Sequence, residues 1–217
     1  MRLSLLLFLL LAGLLPPAAE ARREPTSGRP CEAVGSPSEF ALAACAAVDP
    51  KARELLLRID REQRAMQTLA TASPQERPVL WTKKGPLLKT MARENAEWLK
   101  RVDPQQHLLD TRRSGPTVAK AAWLVVQHAD HDPEWQARTL KVLRHLVARR
   151  RFPPDLYATL EDRVRVNAHR PQLYGTQGSC AEHRWTPRPI EEAAKVDRRR
   201  ARMGLRPLSE YSRRFSC

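Results

Sequence analysis

Ser114-Gly115-Pro116-Thr117-Val118-Ala119-Lys120-Ala121-Ala122-Trp123-Leu124-Val125-Val126-Gln127-His128-Ala129-Asp130-His131-Asp132-Pro133-Glu134-Trp135-Gln136 is the stretch whose reading decides the fold. Ser114 to Thr117 carry helix-start residues, and Val118 to Val126 are almost wholly apolar. A helix that is hydrophobic all round belongs in the middle of a core. Asp132-Pro133-Glu134 then supplies an N-cap, a first-position proline and an acidic first turn to a second helix running to about Arg150. Pro153-Pro154-Asp155 opens a third, with Leu156, Leu160 and Val164 on one face. Short turns join the three, which predicts antiparallel packing. The fold class is therefore all-α: a single-domain helical bundle or stacked αα-hairpins.

Toward the N-terminus, helical spacing begins near Ser38. Phe40, Leu42, Ala43, Ala46, Leu55, Leu56, Ile59, Met66 and Leu69 recur mostly at three and four, with a break at Asp49-Pro50. Ser73 to Pro86 holds three prolines and reads as a connector. Leu87 to Val102 is helical again through Leu88, Met91, Trp98, Leu99 and Val102, until Asp103-Pro104 ends it. Toward the C-terminus, Pro171 to Pro189 has no clear period and predicts an irregular segment, with short strand pairing near Leu173 left open. A helix is expected from about Ile190 to Met203, with Gly204 to end it. No run alternates apolar and polar residues long enough for a sheet, and no repeat is detectable.

Residues 1–21 have the layout of a secretory signal. Arg2 gives the positive start, Leu5 to Leu15 the apolar run, and Ala19-Glu20-Ala21 a small-x-small cleavage site. The run is too short to cross a bilayer, which takes roughly 20 residues, and Pro16-Pro17 close it. Cleavage near Ala21 predicts a secreted or periplasmic product without a transmembrane segment. Residues 22–37, rich in Pro, Gly, Ser and charge, form a flexible lead-in, and 38–217 a single helical domain of a size able to bury roughly 70 % of the surface its unfolded chain exposes.

An exported chain meets an oxidising compartment, so its four cysteines, Cys31, Cys45, Cys180 and Cys217, are expected in disulfides. Three pairings are possible. The most economical joins Cys31 to Cys45 and Cys180 to Cys217, each closing a local, proline-containing stretch. No C-x-x-C spacing supports zinc, and a nucleophile at the terminal Cys217 would sit on poorly held backbone.

The formal net charge is +14, from 38 Lys and Arg against 24 Asp and Glu. Such a charge attracts polyanions, and an exported protein meets anionic envelope polymers before chromosomal DNA. The arginine clusters 149–151, 198–200 and 213–214 alternate with acidic residues, a pattern of solvated helix faces with pairs such as Glu161 to Arg165. No basic stripe is interleaved with aromatics, so a nucleic-acid partner is not expected. Standard hydrolase, zincin and phosphate-binding signatures are absent.

Two clusters can carry chemistry. In the first, Gln127 and His128 end the most apolar helix and an acid-rich corner follows. His128 at a negative dipole end suits a general base, with Asp130 or Asp162 to orient it. The alternative is that Gln127 and His128 satisfy free carbonyls and Asp132 is a cap. His128, Asp130, His131 and Asp132 are metal-ligand types, but one crowded corner does not aim three of them at one centre, so neither metal nor cofactor is expected. In the second, Asp162-Arg163 reads as a buried ion pair, followed by a polar loop with Gln172, Tyr174, Thr176 and Gln177 in which Gly175 supplies an unusual turn. The expectation is a hollow shared by His128, Arg163 and Tyr174 that takes a small polar or peptide-like ligand. The alternative is an interaction protein that binds anionic envelope polymer with no active site.

At these clusters the chain resembles a family of uncharacterised bacterial proteins, a domain of unknown function. The resemblance rests on Trp123-Leu124-x-x-Gln127-His128-Ala129-Asp130-x-Asp132-Pro133-x-x-Gln136, on Asp162-Arg163-x-x-x-Asn167 leading to Pro171-Gln172-x-Tyr174-Gly175-Thr176-Gln177, and on Pro189-Ile190-Glu191, Val196-Asp197-x-Arg199 and Gly204-Leu205-x-Pro207-Leu208-x-x-Tyr211. It spans about Asp60 to Tyr211. Similar proteins carry Gly-Trp-Pro where this chain has Ser114-Gly115-Pro116, and a glycine where it has His169. The resemblance implies a shared site around Gln127, His128, Asp162, Arg163, Gln172 and Tyr174, and no reaction.

Overall fold

A computed structural model describes residues 38–73, 75–181 and 184–215; the signal, the lead-in, Cys31 and Cys217 lie outside these. Helix α1 (Glu39–Ala46) starts where Ser38 Oγ accepts the amide of Ala41 at 3.1 Å. The break expected at Asp49-Pro50 is a corner: Asp49 caps α2 (Pro50–Ala70) by accepting from Lys51 N at 2.9 Å. Helix α3 runs from Arg77 to Val102, with Asp103 as its C-cap.

The connector expected over Ser73 to Pro86 is thus corrected, since most of it is helical. Ser73 and Glu76 exchange hydrogen bonds in the manner of a capping box, Ser73 Oγ accepting from Glu76 N at 3.2 Å and Glu76 Oε2 from Ser73 N at 3.1 Å. Pro78 sits in the first turn, where its missing N–H is not needed. Only Pro86 lies inside the helix and removes an internal bond.

A 3-10 turn (His107–Leu109) and the single-turn α4 (Thr111–Ser114) lead to Gly115, whose φ of 82° admits α5 (Pro116–Gln127). Helix α5 is the centre, as its composition requires: Val118, Ala119 and every residue from Ala121 to Gln127 are buried. It packs against α1, α2 and α3, and against α6 (Pro133–Ala148) and α7 (Pro154–Asn167), which pair with each other as a hairpin. One continuous apolar cluster, from Phe40 through Leu55, Leu56, Ile59 and Trp98 to Leu143 and Leu160, joins these helices.

The irregular C-terminal segment begins with a loop and a two-stranded antiparallel hairpin, β1 (Gly178–Ala181) and β2 (Arg184–Pro187). The pairing left open near Leu173 is an isolated parallel bridge, Gln172 to Ile190. That bridge shortens the helix expected over Ile190 to Met203. Ile190 is drawn into it, Glu192 stands at φ 43°, and Arg199 Nε donates to the Leu173 carbonyl at 2.7 Å, so only a 3-10 turn (Ala193–Lys195) and α8 (Val196–Arg202) are helical. Gly204 follows at φ 68°, then α9 (Leu208–Ser212). Of the cysteines, Cys45 and Cys180 are described and neither is a free thiol. None of the described helices is long and apolar enough to cross a membrane.

Candidate functional site

The end of α5 is closed by a side chain from α6. Gln136 Nε2 donates to the Val126 carbonyl at 3.0 Å, beside the bond from the backbone N–H of His128. His128, the C-cap residue, turns its Nδ1 to Glu62 Oε1 of α2, with side chains only 4 % and 3 % exposed. Glu62 Oε2 accepts from Asn95 Nδ2 at 2.6 Å, and Asn95 Oδ1 from Arg58 at 3.5 Å. Arg58 itself lies over the Trp98 ring, 5.0 Å from its centroid. Three helices thereby hold a carboxylate against an imidazole inside the core.

The sequence reading expected Asp130 or Asp162 to orient His128, and this is corrected: Glu62 does so, and both aspartates have other partners. Asp130 Oδ1 accepts from Arg163 Nε at 2.8 Å, Asn167 Nδ2 at 2.9 Å and Gln136 Nε2 at 3.3 Å. Burial alone would raise the Asp130 carboxyl, but the Arg163 charge and these bonds hold it below its ordinary value. Arg163 Nη1 continues to Gln177 Oε1 at 3.2 Å. The ion pair expected within Asp162-Arg163 is therefore Asp130–Arg163, because successive residues on α7 face different neighbours.

Asp162, fully buried, staples the polar loop. Its carboxylate accepts from the amides of Leu173 at 2.7 Å, Tyr174 at 3.0 Å and Thr176 at 2.8 Å, and from Thr176 Oγ1 at 2.9 Å. Burial raises its carboxyl against the lowering pull of these donors. Gly175 permits the turn with φ 69°, and a Cβ there would meet Ile190 Cδ1 and Leu208 Cδ1 at 2.9 Å. Gln172 is spent inside the loop: Nε2 donates to the Gln177 and Arg188 carbonyls at 2.8 and 2.7 Å, and Oε1 accepts from Gln177 N at 2.9 Å. The Tyr174 carbonyl accepts from Arg200 Nη1 at 2.5 Å, while burial and then the nearby Glu161 and Tyr157 push its phenol up to about 12.

Of the groups expected to share one hollow, the His128 ring meets Glu62 and the Arg163 guanidinium meets Asp130 and Gln177, while Tyr174 is tied through its backbone N–H to Asp162 and its carbonyl to Arg200. Asp162, Gln172 and Thr176 form a structural clasp that fastens the C-terminal segment to α7. Sequence reasoning missed Glu62 and Asn95, although a signal exists. Glu62 falls between Ile59 and Met66, and Asn95 between Ala92 and Leu99, on stripes that otherwise bury apolar residues. Asp132 is the expected cap, accepting from Trp135 N at 2.9 Å, and also meets Lys100 Nζ at 2.6 Å. Among the described residues no group of three His, Cys, Asp or Glu side chains could hold a metal ion.

No curated protein and no solved structure matches the chain. The residues of the clasp and of the His128 corner fall inside a match to the model of a family of unknown function, DUF6624, over residues 50–216. His169 stands at φ 55°, a backbone conformation that favours glycine. With most of its length matched, the chain belongs to the family of unknown function DUF6624.

Proposed function

We propose that this is an exported bacterial domain that binds a small polar or peptide-like ligand at the α5–α6 corner and acts on it by acid–base or hydrolytic chemistry. His128 is the base, and Glu62 holds its ring. The observation that carries the reading is the buried Glu62–His128 pair: a desolvated carboxylate and imidazole are often no more stable than an apolar pair of the same volume, and such pairs concentrate at working sites. Gln127 borders the ligand, and Asp130–Arg163 forms the charged wall beyond it. Export rests on the layout of residues 1–21 and on Cys45 and Cys180 not being free, with Cys31–Cys45 and Cys180–Cys217 as the proposed bridges.

The test is His128→Ala in the mature chain, assayed on a panel of peptides, amides and 4-nitrophenyl esters. General-base catalysis contributes roughly 10²–10⁴-fold, so the variant should lose at least about 100-fold in turnover while its circular dichroism stays native. A second reading, binding of anionic polymer without an active site, is favoured by the exposed Arg149, Arg150, Arg198 and Arg213. Under it, binding falls steeply between about 50 and 500 mM salt and His128→Ala changes nothing. Unaltered turnover in the variant sinks the acid–base reading.

A further inference from the structure

Gln136, fully buried, uses Nε2 on the Val126 carbonyl and Oε1 on Asn167, and Gln172 uses both of its amide atoms within the loop. Gln127 differs from these two. Its Oε1, like Gln63 Nε2, Gln106 Oε1 and Trp123 Nε1, is buried with no partner among the described residues. Gln127 and Trp123 are 6 % and 5 % exposed, so solvent does not make up the loss. An unpaired buried group is costly to the fold, a cost that Gln136 and Gln172 avoid.

The arrangement of the two groups is informative. Residues four apart on a helix are neighbours on one face, with Cβ atoms roughly 5–6 Å apart, so α5 carries the Trp123 indole and the Gln127 amide on one face. Beyond the helix end, four residues after Gln127, His131 Nε2 is another buried atom without a partner among the described residues. Burial, then Arg93 and Lys100, lower the His131 pKa and so favour the neutral ring.

We propose that the Trp123–Gln127 face of α5 is a recognition site for a primary carboxamide of the ligand, whose carbonyl accepts from Trp123 Nε1 and whose N–H on the same side donates to Gln127 Oε1. The chemistry discriminates among ligand classes. A carboxylate would satisfy the indole but face the glutamine oxygen with no proton to give, and an ammonium group would satisfy the glutamine and be repelled by the indole N–H. A primary carboxamide, with a carbonyl and an N–H on the same side, satisfies both, and His131 gives a further polar contact toward the corner. The inference rests on the reading of that corner as a ligand site and narrows its substrate class to primary carboxamides, such as peptide amides and asparagine or glutamine side chains.

The probe is N-acetylglycinamide, titrated to about 100 mM into protein carrying ¹⁵N in its tryptophan side chains. The indole resonance that disappears in Trp123→Phe is assigned to Trp123 and is expected to shift saturably. Gln127→Met should weaken binding about tenfold, the equivalent of one lost neutral hydrogen bond. An unmoved Trp123 resonance, which means the two groups hold internal water only, overturns the proposal, as does an equal Kd in Gln127→Met. Should Trp123→Phe fail to fold, the wild-type titration and Gln127→Met decide between them. An unmoved indole beside His128-dependent turnover removes the amide site and leaves the acid–base reading standing; a saturable shift with turnover indifferent to His128 does the reverse.

Discussion

Replacing Asp162 with alanine tests the claim that this carboxylate is a staple and not a catalytic group. It accepts from three loop amides and one hydroxyl at 2.7–3.0 Å, and the residue is wholly buried. Truncation leaves the Leu173, Tyr174 and Thr176 amides with no acceptor. At about 1–3 kcal/mol for each unsatisfied group the sum is about 3–9 kcal/mol, and entry of water into the vacated space should bring the loss to the lower half, about 4 kcal/mol. For a domain of this size, where 1 kcal/mol shifts Tm by about 2–4 °C, the expected drop is roughly 8–16 °C. The assay is thermal unfolding by circular dichroism, with hydrogen exchange at Leu173, Tyr174 and Thr176 as the local readout. A Tm within about 2 °C of the wild type, or unchanged protection at those amides, refutes the staple.

Two further outcomes follow from the site. The folded pKa of Asp130 lies below its ordinary 3.8, so its pairing with Arg163 stabilises fully above about pH 4 and is lost as pH falls through the folded value. Asp130→Asn should therefore lower Tm at pH 6 and lose part of the acid-dependent fall, and parallel Tm curves for the two proteins between pH 6 and pH 2 contradict this. Gly175→Ala adds a Cβ at φ 69°, 2.9 Å from Ile190 and Leu208, and should cost about 1–3 kcal/mol in urea unfolding; an unchanged midpoint would show that the loop has room to give.

The chain order of helices was legible because each signal is local. Asp49-Pro50, Asp132-Pro133 and Pro153-Pro154 mark helix starts through caps and fixed φ, and the apolar run of α5 demands burial whatever surrounds it. The start of α3 was written just as locally, in Ser73 and Glu76, but the prolines at 74, 78 and 86 drew the reading toward a connector. The partners of the polar residues were not legible. Asp162 and Arg163 are adjacent in sequence, yet one faces the loop at 173–176 and the other Asp130, since neighbouring positions on a helix point about 100° apart.

By itself the sequence determined most of the helical segments, which helix is central and which polar residues lie near its end. All of these depend on interactions within a few residues or on how apolar one segment is. Only the tertiary structure decided that Glu62, 66 positions away, is the carboxylate at His128, and that Asp130, Asp162 and Gln172 are bound into the scaffold. A hydrogen bond between distant residues is set by how helices cross, and helix crossing is an outcome of packing the whole core, which no local pattern contains.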